Sequence, residues 1–274
     1  MQPGIPSAPK GPPATMKTPR EVFDRMRGSM TGPHTREHAD EIKAAVLEVA
    51  QESLRTGLVH GTAGNFSARL PDGNVVMTPS SLAYETMTLD DLVVVDLEGN
   101  TVEGTRSPTT EKMLHLACLA AYDDIHAVIH CHAKFATMFA LVREPVPCVI
   151  EEVEVFVGGD VPVAEYRFTG SQELADEVSR HVKDRAAVLM ANHGLLTVGA
   201  TVPGALRRMY MLERACEVEI IARGLGEEPG PIDPEVIEGY GKRAKAQRAS
   251  AAYGEVYWKA ALRQIEGKGT DWRQ

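Results

Sequence analysis

The stretch "IHCHAKF", Ile129 to Phe135, places two imidazoles, His130 and His132, two residues apart in a run that otherwise reads as buried. Side chains on a strand alternate between faces, so both rings share a face with Val128 while Ile129 and Cys131 take the other. Two neutral imidazoles at a strand end can converge on one cation, each oriented by an acceptor on its remaining ring nitrogen. Taken alone, the pair reads more readily as two histidines satisfied by backbone carbonyls. A third imidazole, His193 in "MANHGLLTVG", stands where an apolar run ends in an Asn-His-Gly turn and glycine lets the backbone bend. Read alone it is a turn residue. Three histidines and a carboxylate are the usual donors of a catalytic zinc that keeps a position open, and Glu111 in "SPTTEKM" is the candidate carboxylate. Read alone, Glu111 is an acidic residue favourable to the dipole in a helix's first turn. Spacing by itself does not join these four residues.

Several elements must position them. "HAVIHCH" alternates as a strand, "AAVLMANHGLLTVG" predicts two short strands around the His193 turn, and "TEKMLHLACLAAY" has helical spacing. Upstream, "TREHADEIKAAVLEVAQESLRTGLV" predicts a first helix, with Thr35 as N-cap and Ile42, Val46, Val49 and Leu54 on one face. Between His60 and Gly104, short β-branched runs cut by "PDGN" and "LEGN" predict strands joined by hairpins. "AKFATMFALV" reads as helix, Val146 to Ala164 as β-rich, "SQELADEVSRHVKD" as an amphipathic helix, and "VPGALRRMYMLERACEVEIIARG" as a long helix ending at glycine. The last forty residues are charged and partly helical, and no internal repeat is present. The expected fold is α/β, a three-layer α/β/α sandwich around a central, largely antiparallel sheet. Residues 1–33, rich in proline and glycine, are expected to be a disordered tail, and 34–274 one domain with a C-terminal helical extension.

Composition narrows the function class. The chain has 274 residues, 43% of them apolar, and a formal net charge of -9 with no basic cluster. That balance repels phosphate backbones and acidic membrane surfaces, so neither nucleic acid nor membrane is an expected partner. No uninterrupted apolar run reaches membrane-spanning length and the N-terminal stretch lacks a signal core, so a cytoplasmic location is expected. Cys118, Cys131, Cys148 and Cys216 are scattered singly, which predicts reduced, mostly buried thiols.

The order and wording of five motifs resemble the class II aldolase/adducin family, most closely its L-fuculose-1-phosphate aldolase branch. They are "GTAGNFSAR" at 61–69, "TPSSLAYETMTLDDLVVVD" at 78–96, "SPTTEKMLH" at 107–115, "AVIHCHAKFAT" at 127–137 and "NHGLLTVG" at 192–199. The intervals 130 − 111 = 19 and 193 − 132 = 61 are similar to those of the aldolases. The resemblance implies one zinc ion per subunit, or another divalent ion, held by His130, His132 and His193. Glu111 is implied as a ligand without substrate and as the base with it. The implied reaction is reversible cleavage of a ketose 1-phosphate, such as L-fuculose 1-phosphate or a 5-deoxypentulose 1-phosphate, to dihydroxyacetone phosphate and an aldehyde. No Schiff-base lysine is required, and a homotetramer with sites between subunits is the implied assembly.

The phosphate needs its own donors. The small residues of "GTAGN" let backbone N–H groups approach an anion, although such a loop also reads as a plain turn. By resemblance the phosphate site is Thr62, Gly64, Asn65, Ser80, Ser81, Thr109 and Thr110. Here "TPSS" stands for the aldolases' "TPTG" and Thr109-Thr110 for two serines, which keeps the donors but puts a side chain at Ser81. The larger departure is at the aldehyde end, where the aldolases carry a tyrosine from a neighbouring subunit. This chain has "CVIEEVEVFVGGDVP" there, with Glu151 near the place. Glu151 or Glu152 is one candidate acid or a solvated strand charge; Tyr240, Tyr253 and Tyr257 are others. Rival activities on the same fold are a pentulose-phosphate 4-epimerase, which carries aspartate where this chain has Glu111, and a methylthioribulose-phosphate dehydratase. The rival outside enzymes is an adducin-like binding module, which lacks the histidines.

Overall fold

The computed structural model describes residues 34–183 and 185–226, and a few further positions between 229 and 239. The proposed tail at 1–33 and most of the C-terminal extension lie outside the described residues. The described residues open on helix α1, His34–Arg55, whose Val46, Val49 and Ala50 are fully buried, with Ile42 and Leu54 packed partly against them. Thr35 therefore lies inside the helix rather than capping it.

Two hairpins follow. Strands β1 (Asn65–Arg69) and β2 (Val75–Met77) are joined through "PDGN", where Leu70 N–H donates to Asn74 O at 2.7 Å. Strands β3 (Val93–Val95) and β4 (Thr101–Glu103) are joined through "LEGN", closed by Asp96 N–H to Asn100 O at 2.9 Å. Next come α2 (Lys112–Ala121), β5 (Ala127–Cys131), α3 (Lys134–Val142), a short α4 (Glu151–Phe156), β6 (Val163–Ala164), α5 (Gln172–His181), β7 (Ala187–Met190), β8 (Gly194–Gly199) and α6 (Val202–Arg223). The strands form one 8-stranded sheet in the order β4-β3-β2-β1-β5-β8-β7-β6, antiparallel at every pairing except the β6–β7 edge.

Helices cover both faces. On one face, Ile129, Cys131, Phe66 and Leu195 pack with residues of α1, α3 and α6. On the other, Val128, Leu196, Met77 and Val95 pack under Leu114, Leu116 and Leu119 of α2 and Leu174 and Val178 of α5. Each such side chain, fully buried, contributes about 1.5–3 kcal/mol relative to exposure. All four cysteines are buried and unpaired.

One expected element is corrected. The segment Val146 to Ala164 is not mainly β: it holds α4, with extended pairing only at β6 and an isolated Val146–Val161 bridge. The alternating valines at 153, 155 and 157 mimic a strand, but the helix buries Val153 and Val157, four apart. Glu151, Glu152 and Glu154 stand in the first turn, where the helix dipole favours acidic groups.

Candidate metal centre and active site

Strand β5 runs between β1 and β8, with His130 opposite Asn65 on one side and Leu196 on the other. His132 follows the strand directly and is exposed at the mouth of the site. His193 sits in the β7–β8 turn, which brings it back across the sheet to the same place. The three ring centroids lie 5.1 Å (130–132), 4.6 Å (130–193) and 5.2 Å (132–193) apart. One nitrogen from each ring lies within 4.8 Å of the others.

The turn carrying His193 is held from outside. Asn192 adopts φ 57°, its N–H donates to Ala140 O at 3.0 Å, and its Oδ1 accepts from Arg143 at 2.9 and 3.2 Å. Gly194 then allows the turn to lie flat on β5. A Cβ there would fall 2.6 Å from Cys131 O, 3.0 Å from His132 Cδ2 and 3.2 Å from His130 Cε1.

Glu111 is the N-cap of α2 and is buried. Its Oε2 lies 3.5 Å from His130 Nε2 and its Oε1 3.6 Å from His193 Nε2. Asn65 Nδ2 donates to Oε2 at 2.8 Å. Two buried atoms facing this cluster, Glu111 Oε1 and His130 Nε2, have no hydrogen-bond partner. His130 Nδ1 lies 3.0 Å from Leu195 O; a carbonyl only accepts, so Nδ1 carries the hydrogen and Nε2 presents its lone pair to the centre. Burial, then the His193 and His132 rings, hold His130 well below the usual imidazole range. His132 is lowered too, by desolvation first and His193 second, with Glu111 opposing. Neutral rings with aimed lone pairs are what a divalent cation needs from histidine. Zn–N bonds of about 2.0–2.1 Å place ligand nitrogens roughly 3.3 Å apart, a separation these rings reach by small rotations. The donor set therefore fits a zinc ion, and two orphaned buried polar atoms are the groups such an ion would satisfy.

A cleft of about 200 Å³ opens beside the histidines, and all seven expected phosphate-binding residues line it. Thr62, Gly64 and Asn65 form one wall, Ser80 and Ser81 another, and Thr109 and Thr110 lead into Glu111. Gly64 passes so close to β5 that a Cβ would meet His130 O at 2.9 Å. Ser81 has φ 59°, the left-handed backbone region that favours glycine. The serine that stands in place of the glycine of "TPTG" therefore takes a backbone conformation that glycine adopts freely. Ser80 Oγ and Ser81 Oγ lie 3.3 Å apart. Both ends of the Asn65 side-chain amide are engaged, by Glu111 and by His115. Glu151 and Glu152 are exposed in α4 and do not line the cleft within this chain. Tyr240, Tyr253 and Tyr257 lie outside the described residues.

Three residues near the site escaped the sequence reading of chemistry. Thr169 lines the cleft from the loop before α5, where the following Gly170 packs against Thr110 O. Tyr84, buried, donates its hydroxyl to Gly64 O at 2.6 Å and so holds the glycine loop. His115 is fully buried beneath Glu111 and Asn65. Its signals in the sequence are its place at the end of the motif at 107–115 and its position four residues after Glu111.

Residues 44–220 match the family model described as Class II Aldolase and Adducin N-terminal domain. A 5-methylthioribulose-1-phosphate/5-deoxyribulose-1-phosphate aldolase of Escherichia coli O45:K1 is 35% identical over 188 residues, covering 68% of this chain and 87% of that protein. An L-fuculose phosphate aldolase of Escherichia coli O6:H1 is 32% identical, covering 67% and 82%. The solved structure of an L-fuculose 1-phosphate aldolase superposes with a TM-score of 0.71 at 33% identity, covering 75% of this chain and 96% of that one.

Proposed function

Because the chain belongs to the class II aldolase and adducin N-terminal domain family, and is an aldolase of that class, we propose that it is a zinc-dependent enzyme that reversibly cleaves a ketose 1-phosphate. The products are dihydroxyacetone phosphate and an aldehyde. One observation carries this reading: His130, His132, His193 and Glu111 meet at one wall of a cleft whose other walls are hydroxyl groups and backbone N–H groups suited to a phosphate. The substrate is a 5-deoxypentulose 1-phosphate or L-fuculose 1-phosphate. The names of the relatives support both.

When bound, the cation supplies a fixed positive charge for the oxygens on which negative charge develops. The chain's own groups do the rest. His130, His132 and His193 bind through neutral rings. The turn at Ser80 and Ser81, the loop at Thr62 to Asn65 and the threonine pair at 109 and 110 hold the phosphate and so fix the sugar's register in the cleft. Glu111, with Oε2 held by Asn65, has Oε1 available to take and return a proton. The convergence of donors disfavours an adducin-like module, which would have no use for orphaned buried nitrogen and oxygen atoms.

Among the described residues no helix is long and apolar enough to cross a membrane. The reading extends to a cytoplasmic homotetramer; the exposed apolar Leu141, Val142 and Phe168 support self-association. The test is a cleavage assay of the zinc-loaded protein on both ketose 1-phosphates, read as dihydroxyacetone phosphate released, beside metal analysis. Near-stoichiometric zinc and turnover of one of them are expected, with turnover abolished in folded His130→Ala and His193→Ala. Undiminished turnover in either variant would refute the metal assignment.

A further inference from the structure

Glu111 is the end of a buried hydrogen-bonded chain. Ser67 Oγ lies 2.6 Å from His115 Nδ1, His115 Nε2 lies 2.5 Å from Asn65 Oδ1, and Asn65 Nδ2 lies 2.8 Å from Glu111 Oε2. Ser67 and His115 are fully buried, and Asn65 and Glu111 nearly so. The direction of every link follows from its last member. A carboxylate only accepts, so the atom facing Oε2 is the Asn65 amide nitrogen, and the Asn65 oxygen must face His115. His115 Nε2 must then carry a hydrogen. Desolvation pushes this imidazole down to about 3, against the opposing pull of Glu111, so it is neutral and has one N–H only. Its Nδ1 is therefore an acceptor, and the Ser67 hydroxyl donates to it. Ser67 to His115 to Asn65 to Glu111 is a one-way chain of donors.

We infer that His115 is a positioning residue: it locks the Asn65 amide in one orientation, which anchors Glu111 by Oε2 and leaves Oε1 as the oxygen that faces the cation and substrate. Without the His115 N–H, Asn65 Oδ1 is left unsatisfied in a buried place and the amide loses one of the two contacts that hold it against Oε2. An apolar pair at 67 and 115 would fill the space between β1 and α2 at less desolvation cost than two polar groups, so a polar chain there needs a task beyond packing. Its end point, the one oxygen of Glu111 that is held beside the one that is not, supplies it.

The inference rests on the reading of Glu111 as the working carboxylate, so its test has an arm independent of turnover. The metal-free, full-length protein, labelled with 15N in histidine, gives a solid-state 15N spectrum in which the His115 signal is identified by its loss in His115→Gln. Near pH 7 the ring is expected neutral, with hydrogen on Nε2 and none on Nδ1; the opposite tautomer overturns the chain. In the kinetic arm, His115→Leu is expected to lower kcat by about 10–100-fold with little change in KM. His115→Gln, whose amide N–H can reach Asn65 Oδ1, is expected to recover most of that loss with zinc content unchanged. Equal rates in the two variants, or an unchanged kcat in folded His115→Leu, overturn the positioning role. A wild-type protein without aldol activity would remove the function while leaving the tautomer result to judge the chain.

Discussion

Replacing Gly194 with alanine adds one methyl group where β8 leaves the His193 turn. Its Cβ would lie 2.6 Å from Cys131 O, 3.0 Å from His132 Cδ2 and 3.2 Å from His130 Cε1, inside the roughly 3.5–4.0 Å of comfortable contact. The carbonyl belongs to β5 beside the paired Cys131–Leu195 position, so it yields only if the ladder opens. The two rings are the groups able to move, and they are the proposed metal ligands. Overpacking of this kind costs about 1–3 kcal/mol, and for a domain of this size each kcal/mol shifts the melting temperature by about 2–4 °C, so a fall of about 2–12 °C is expected in the metal-free protein. Displaced ligands should also weaken zinc by about 10–100-fold, the loss seen when ligating histidines lose their orienting neighbours. The sign discriminates: Gly194 does not have positive φ, so without the clash alanine would stabilise the strand. Differential scanning calorimetry and zinc competition against a chromogenic chelator make the measurement. A melting temperature equal to or above wild type, with unchanged zinc affinity, would refute the close-approach argument.

Two further outcomes follow from the same geometry. Glu111→Gln should keep zinc, since three histidines remain, while losing about 10²–10⁴-fold in turnover; steady-state cleavage with parallel metal analysis reads both, and a variant at wild-type rate would remove Glu111 as the base. His115 and His130 are fully buried with folded values below the ordinary imidazole value of 6.5, so the unfolded chain binds more protons than the folded one below that pH. For His115 the stabilisation from keeping the ring neutral is complete above about pH 6.5 and falls as pH drops toward 3, by up to about 1.4 kcal/mol per pH unit, and His130 acts in the same direction. Urea unfolding of the metal-free protein between pH 7 and pH 5 should show the decline, which a flat profile would contradict.

The histidine strand was legible because alternation is a strong signal: Val128 and His130 on one face and Ile129 and Cys131 on the other is the arrangement the period of two requires. The hairpins at "PDGN" and "LEGN" were legible for a similar reason, since turn chemistry is local. What local pattern does not carry is the meeting of residues 111, 130 and 193, which depends on strand order and came from motif resemblance instead. α4 is not legible in the sequence because Val153, Val155 and Val157 satisfy strand alternation while only burial against the core decides between strand and helix. His115 was read as part of a motif, yet its partners Asn65 and Ser67 lie 50 and 48 residues away, so nothing in its neighbourhood announced a role. Thr169 was hidden likewise, in a loop whose place over Thr110 is set by packing at Gly170.

The ligands' dispersal along the polymer also governs how the protein comes into being. In the proposed assignment, a cation held by Glu111, His130 and His193 would fasten a helix cap, a mid-chain strand and a later turn, closing spans of 130 − 111 = 19 and 193 − 130 = 63 residues. Such a fastening acts on the unfolded ensemble as a cross-link does, gaining from the loop entropy already spent by the native topology. On the ribosome such a grip would be completed only after the β7–β8 turn has emerged, so ion capture would come late in the sheet's assembly rather than at its beginning.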